Sequence, residues 1–286
     1  MDELGEVKLG WTPYGGQWCA LLVTEKSVDA DRLARLFADR VKPMKCRPEF
    51  DWSPALKDVS PEALRERSQL ALSEGLAEWF QAFGCELSTS KDGKLQSTPF
   101  DMTVARQLFL ANAAWLTKNL ATPDKRRGDA PNIVSFAEAL FGPWKYQDDQ
   151  HSLGWDPSTI LMGAFTPKAP TAMNKAGVRA AVWLAMESLP FFPCFYDSGL
   201  ATTGFKKQGR DERFSWPIWE APLTVASARV LIEHSITLQA GELSTRGIAA
   251  VYTSQVFKPN KYLTSFQPAV LQIRPATSDS LTVPTR

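Results

Sequence analysis

Histidine is nearly missing from this chain: His151 and His234 are the only two in 286 residues. A zinc centre built on imidazoles, or a histidine-dependent triad, therefore has almost nothing to draw on. Cysteine is scarce as well. Cys19, Cys46, Cys85 and Cys194 lie far apart, with no Cys-x-x-Cys pair and no histidine beside them. They read as reduced thiols packed as small apolar groups, not as metal ligands or a disulfide framework. There is no phosphate loop, no G-x-G-x-x-G following a strand and no G-x-S-x-G elbow. No cofactor and no metal is expected, and the balance of these absences argues against an enzyme. No apolar run approaches the roughly 20 residues needed to span a bilayer. The stretch from Met1 to Glu6 is acidic and lacks the basic and apolar regions of a secretory signal. The expectation is a cytoplasmic protein with no membrane partner.

A dominant charge sign is also missing, because the net charge is only +1. Residues 1–100 carry 13 Lys/Arg against 16 Asp/Glu, and residues 101–286 carry 19 against 15, so the second part is mildly basic. Any polyanion site must therefore be a local patch. What is abundant is apolar and aromatic side chain: 44% hydrophobic residues, with ten Trp and sixteen Phe, describe a folded protein with a sizeable core.

Local signals predict the elements. Trp18 to Val23 reads as a strand, and Asp29 to Val41 as a helix. Ser60-Pro61-Glu62 is a strong helix start, with an apolar face of Leu64, Leu72, Leu76, Trp79, Phe80 and Phe83 before a stop at Gly84. An Asp92-Gly93 turn between extended segments predicts a hairpin near 88–98, with Lys91 and Lys94 at its tip. That mix of lysine, hydroxyl and amide suits phosphate and base-edge contacts, although a solvated tip with lysines for solubility is the favoured reading. Asp101 to Leu120 reads as a helix with Val104, Leu108, Ala111 and Trp115 inward. A short helix, Ile133 to Phe141, comes next. The aromatics Trp144, Tyr146 and Trp155 lie in loops, where they can stack on unpaired bases or pin the loop to the core.

The stretch from Asn174 to Trp219 predicts an apolar helix (Val178 to Leu189, stopped by Pro190) and then two short strands around a basic turn, Lys206 to Arg213. Leu223 to His234 reads as a helix ending at His234, where an imidazolium suits the dipole. Ile248 to Phe257 and Tyr262 to Ile273 read as strands, and the last dozen residues as a loose tail. The fold class expected is α+β, with helices mainly in the N-terminal half and mixed short strands and helices in the C-terminal half. The expected parts are 1–142, mainly helical, and 143–286, mixed; one compact unit is the alternative. His151 lies beside Asp148 and Asp149, which could orient it as a general base, but a surface histidine near acids is the favoured reading.

Several runs resemble a known family. They are Phe141-Gly142-Pro143-Trp144-Lys145-Tyr146-Gln147-Asp148-Asp149 with Ser152-Leu153-Gly154-Trp155-Asp156-Pro157, Val178 to Pro193, Thr202-Thr203-Gly204-Phe205, and Phe214-Ser215-Trp216-Pro217-Ile218-Trp219. In this order, and with Pro99-Phe100-Asp101-Met102-Thr103, they look like the CRISPR-associated large subunits of type I effector (Cascade) complexes of subtype I-G, formerly I-U. The resemblance covers roughly residues 85–235 and includes no catalytic motif.

It implies a non-catalytic, DNA- and RNA-binding subunit in antiviral defence that recognises the protospacer-adjacent motif. Its partners would be guide RNA (crRNA), target double-stranded DNA, the backbone and guide 5′-end subunits of Cascade, and a helicase-nuclease recruited in trans. In such complexes guide pairing reads the target while protein reads the flanking motif and backbone. On that logic the nucleic-acid contacts are expected at Lys91, Lys94, Gln96, Ser97, Lys145, Lys168, Asn174, Lys175, Lys206, Lys207, Gln208 and Arg210. The cations would supply affinity, and Gln96, Asn174 or Gln208 would discriminate bases. Two other readings stay open: a guide-RNA-processing endoribonuclease using His151 or a lysine, and a purely structural scaffold subunit.

Overall fold

A computed structural model describes residues 3–44, 47–53, 55–104, 107–122, 132–148, 153–158, 177–209, 211–261 and 263–275. Along the chain run β1 (Val7–Tyr14), β2 (Gln17–Thr24), α1 (Ala30–Val41), α2 (Pro61–Glu74), α3 (Ala77–Phe83), β3 (Gly84–Thr89) and β4 (Leu95–Ser97). Then come α4 (Phe109–Leu120), α5 (Ile133–Phe141), α6 (Arg179–Glu187), β5 (Cys194–Tyr196), β6 (Leu200–Thr202), β7 (Phe205–Gln208) and β8 (Asp211–Trp219). Last are β9 (Leu223–Thr224), α7 (Val225–Glu233), α8 (Ala240–Leu243), β10 (Ile248–Asn260), β11 (Leu263–Phe266) and β12 (Val270–Ile273).

Helices and strands both occur, which makes the protein α+β. Two compact units result: Met1–Ser27 with Gly204–Gln255 and Ala269–Arg286, and Val28–Thr203 with Val256–Pro268. The expected boundary after residue 142 falls inside the second of these. The expected distribution is partly visible: α1–α5 lie in the first half, but a strand hairpin opens the chain and belongs with the C-terminal strands.

In the first unit, β1 and β2 pair antiparallel in unbroken register from Val7↔Thr24 to Tyr14↔Gln17. Their link is Gly15-Gly16, both at positive φ (57° and 77°), the two-residue turn whose twist matches a hairpin. β9 pairs with the other side of β1, so the strand order is β2-β1-β9. A second antiparallel array runs β7, β8, β10, with β12 also on β10; β8 meets β10 from Trp219↔Ile248 to Arg213↔Gln255. The Trp219 indole donates to the Leu9 carbonyl (2.8 Å) and meets Trp11 edge-on at 5.6 Å, which ties the two sheets of this unit. Leu238, Leu243, Ile248 and Val251 form its apolar centre. Thr224 caps α7 by accepting from the Ser227 amide.

In the second unit, Asp29 caps α1 by accepting from the Arg32 amide (2.7 Å), and Ser60 caps α2 by accepting from Ala63 (3.2 Å). The single helix expected from Pro61 to Phe83 is two. Gly75, at φ 70°, ends α2 in the left-handed conformation, and α3 restarts at Ala77. The break rotates the face, so Leu72, expected in the core, is 70% exposed. The helix expected from Asp101 starts only at Phe109, because the Asp101 carboxylate accepts from the Thr103 amide and holds a turn there. Trp115, expected inward, is half exposed. The strand expected over Tyr262 to Ile273 is two, β11 and β12, interrupted around Pro268. Phe50, Phe80, Phe83, Phe109 and Phe136 are essentially sealed from solvent, each contributing about 2–3 kcal/mol of apolar burial. Buried among them, Arg47 pairs with Glu49 and Glu187 and lies over the Phe50 ring at 4.9 Å.

Candidate nucleic-acid interface

The residues expected to touch nucleic acid fall on both units. Lys91, Lys94, Gln96, Ser97 and Lys145 are in the second, and Lys206, Lys207 and Gln208 in the first. Lys168, Asn174, Lys175 and Arg210 lie outside the described residues, as do His151, Asp149 and the Lys125-Arg126-Arg127 loop.

The β3–β4 tip forms as the Asp-Gly signal predicts. Gly93 sits at φ 75°, and the Ser90 amide donates to the Lys94 carbonyl at 2.7 Å. The Ser90 hydroxyl beside Asp92 holds that exposed carboxyl below its ordinary range. Lys91 points into solvent with no partner among the described residues. Lys94 does not stand open: its ammonium is 3.1 Å from Asp58. Ser97 turns its hydroxyl to Asp101, whose carboxyl burial pushes up despite the Thr103 hydrogen bonds and the Lys57 charge. Gln96 is half-buried in β4. Of this set, Lys91 alone has a fully uncommitted head group at the tip.

Lys145 lies on an exposed loop whose path is set by burial on either side. Its amide donates to buried Glu138 at 2.6 Å, and Trp144 next to it is 44% exposed. The Trp144 indole donates to the Ala139 carbonyl (3.3 Å) and its ring meets Tyr146 edge-on at 5.9 Å. Trp155 is tied to the core: its indole donates to the Phe100 carbonyl (2.9 Å) and its ring packs on Phe100 and Phe109.

The β7–β8 hairpin carries the clearest geometry. Register pairs Lys206 with Arg213, Lys207 with Glu212 and Gln208 with Asp211. Cross-strand partners share a face and neighbours along a strand do not. Lys206 and Gln208 therefore face one way, with Arg213; Lys207 faces the other, with Glu212, Phe205 and Phe214. Within β7 the pleat puts Lys206 and Lys207, both expected contacts, on opposite faces of the hairpin. Arg213, absent from the expected contact residues, belongs with Lys206. On the same face the Gln255 amide donates to Asp211 at 3.1 Å, and Arg213 stands 3.8 Å from the other Asp211 oxygen. Two exposed cations directly opposite each other destabilise a hairpin unless an anion lies between them.

The runs that carry the family resemblance serve packing. Gly154, at φ 82°, leaves no room for a Cβ, which would lie 2.7 Å from both Met102 Cβ and the Thr264 carbonyl. Its own carbonyl accepts from Phe266 and from the Ser265 hydroxyl. Gly204, at φ 79°, is pressed against Phe214 in the same way. Asp148, offered above as a partner for His151, is buried, and both its oxygens are taken by Arg179. The Cys194 thiol, hydrogen-bonded to Thr202, is pushed up by burial to about 11, which leaves almost no thiolate at neutral pH. His234 caps the C-terminal end of α7, as expected from sequence. Among the described residues no cluster of three His, Cys, Asp or Glu could hold a metal ion, and no helix is long and apolar enough to cross a membrane. No family model matches this chain, and no curated protein matches it.

Proposed function

We propose that this chain is a non-catalytic subunit of an RNA-guided type I (I-G) CRISPR effector complex, acting in the cytoplasm to recognise the protospacer-adjacent motif in duplex DNA. The ordered motifs between residues 85 and 235 support the family. The observation that carries the nucleic-acid reading is the Lys206–Arg213 pair, with Gln208 on the same exposed face. In the free protein the Asp211 carboxylate offsets part of the cost of setting like charges directly opposite, and a phosphate beside Lys206 and Arg213 turns the remainder into affinity. Gln208 beside them supplies the bidentate amide that reads an adenine edge. Lys91 and the Trp144-Lys145 loop are further contacts in this reading. With a net charge near zero, affinity comes mainly within the assembly, where guide RNA, the backbone and guide 5′-end subunits and the recruited helicase-nuclease are its neighbours.

The test is co-purification with guide RNA and neighbouring subunits, then duplex binding over randomised flanking sequence. The expected result is selection of a short flanking motif that Gln208→Ala relaxes. Assembly with no dependence on flanking sequence or on Lys206 and Arg213 leaves a scaffold, and RNA cleavage by the purified chain makes it an enzyme; either outcome ends the proposal.

A further inference from the structure

Strand β2 is the outer strand of the β2-β1-β9 sheet, with no strand beyond it among the described residues. Its residues, Gln17 to Thr24, include no charged side chain and no proline. They stay in register with β1 throughout, with no bulge. Edge strands normally carry a lysine, a proline, a bulge or a cover, because an open row of N–H and C=O groups otherwise templates another strand. None of those devices is present here among the described residues. The side chains add to the effect: on one face Leu21 and Val23 are each 37% exposed.

We propose that β2 is a self-pairing edge, through which two copies of this chain join their sheets by antiparallel β2–β2 contact. Charge selects the occupant. A second copy brings the same side chains to the seam, so a charged edge would repel itself, and this strand is neutral along its whole length. A two-fold axis normal to the sheet pairs residues of like parity. The face carrying Cys19, Leu21 and Val23 then meets the same face of the second copy, apolar against apolar. About half of the backbone groups of an eight-residue edge, roughly four N–H and four C=O, point outward and gain partners. This inference stands apart from the CRISPR reading and does not rest on it.

The test is the mass of the purified full chain in solution, by light scattering and sedimentation across a wide concentration range. Wild type is expected to pass from monomer to dimer. Leu21→Lys, whose side chain is exposed enough to leave the monomer folded by circular dichroism, is expected to raise the dissociation constant about tenfold or more by opposing like charges. Mixing Leu21→Lys with Leu21→Glu chains is expected to restore the pair. A wild-type chain that stays monomeric throughout, or a dimer that neither charged variant weakens, overturns the proposal.

Discussion

Asp148 and Arg179 lock together across 31 residues of sequence: one carboxylate oxygen accepts from the Arg179 backbone amide at 2.8 Å, the other from its Nε at 2.9 Å. Asp148 thereby both caps α6 and neutralises a largely buried guanidinium. Two-residue pairing with Gly177 holds the same point through the backbone.

Removing that carboxylate strands the guanidinium and uncaps the helix at once. Asp148→Ala is expected to cost about 3 kcal/mol, a fall of roughly 6–12 °C in Tm for a protein of this size. Thermal unfolding followed by circular dichroism reads this directly. A change within about 1 °C would mean that the pair is ornamental.

Three glycines at positive φ should separate by what surrounds them. Gly75→Ala meets open space and is expected to lose only about 1 kcal/mol for the left-handed backbone. Gly204→Ala presses on a ring that is able to shift a little, whereas Gly154→Ala meets the Thr264 carbonyl and the Met102 stem. The expected order of loss in urea titrations is Gly154, then Gly204, then Gly75. If Gly75→Ala proves as costly as Gly154→Ala, the close approach at Gly154 is not what that position requires.

Asp101 is expected to shape the pH dependence. Burial raises its folded carboxyl above the unfolded value, so the native state holds this proton more tightly than the unfolded chain does. Between those two values stability therefore rises as pH falls, and at neutral pH the ionised carboxylate is a burden. Asp101→Asn is expected to match or exceed wild-type stability at pH 7, with the difference shrinking towards pH about 4. Denaturation midpoints of both proteins across that window test the sign. A wild-type advantage at pH 7 that vanishes on acidification would reverse it.

The two faces of the β7–β8 hairpin should behave differently towards DNA in the assembled complex. Lys206→Ala and Arg213→Ala are each expected to flatten the slope of log affinity against log salt by about 0.9, and Lys207→Ala to leave it unchanged. In the free protein, Lys206→Glu is expected to stabilise the hairpin by about 0.2–1 kcal/mol, because it replaces a like-charge pair by an opposite one. Equal effects of Lys206 and Lys207 on the salt slope would remove the facial distinction.

Local chemistry made much of this chain legible from sequence. The Ser60-Pro61 start of α2, the Asp29 cap of α1, the Asp92-Gly93 turn and the extent of β2 all follow from preferences acting within a few residues. Misreadings came where a local signal was outweighed. By pattern Gly75 continues a helix with Leu72 on its apolar face, yet its left-handed backbone ends α2 and Leu72 is exposed. Asp101 reads as helical by pattern, yet its carboxylate holds a turn and delays α4 to Phe109.

Sequence by itself determined the α+β class, most helix starts and the positions of both basic hairpins, because caps, turns and periodicity are short-range. Strand register decided that Arg213 joins Lys206. Tertiary structure alone decided that Asp148 belongs to Arg179, and that the first hairpin folds with residues 204–255. Strand register and buried pairing are settled by which surfaces leave water together, and that choice is made between segments far apart in the chain.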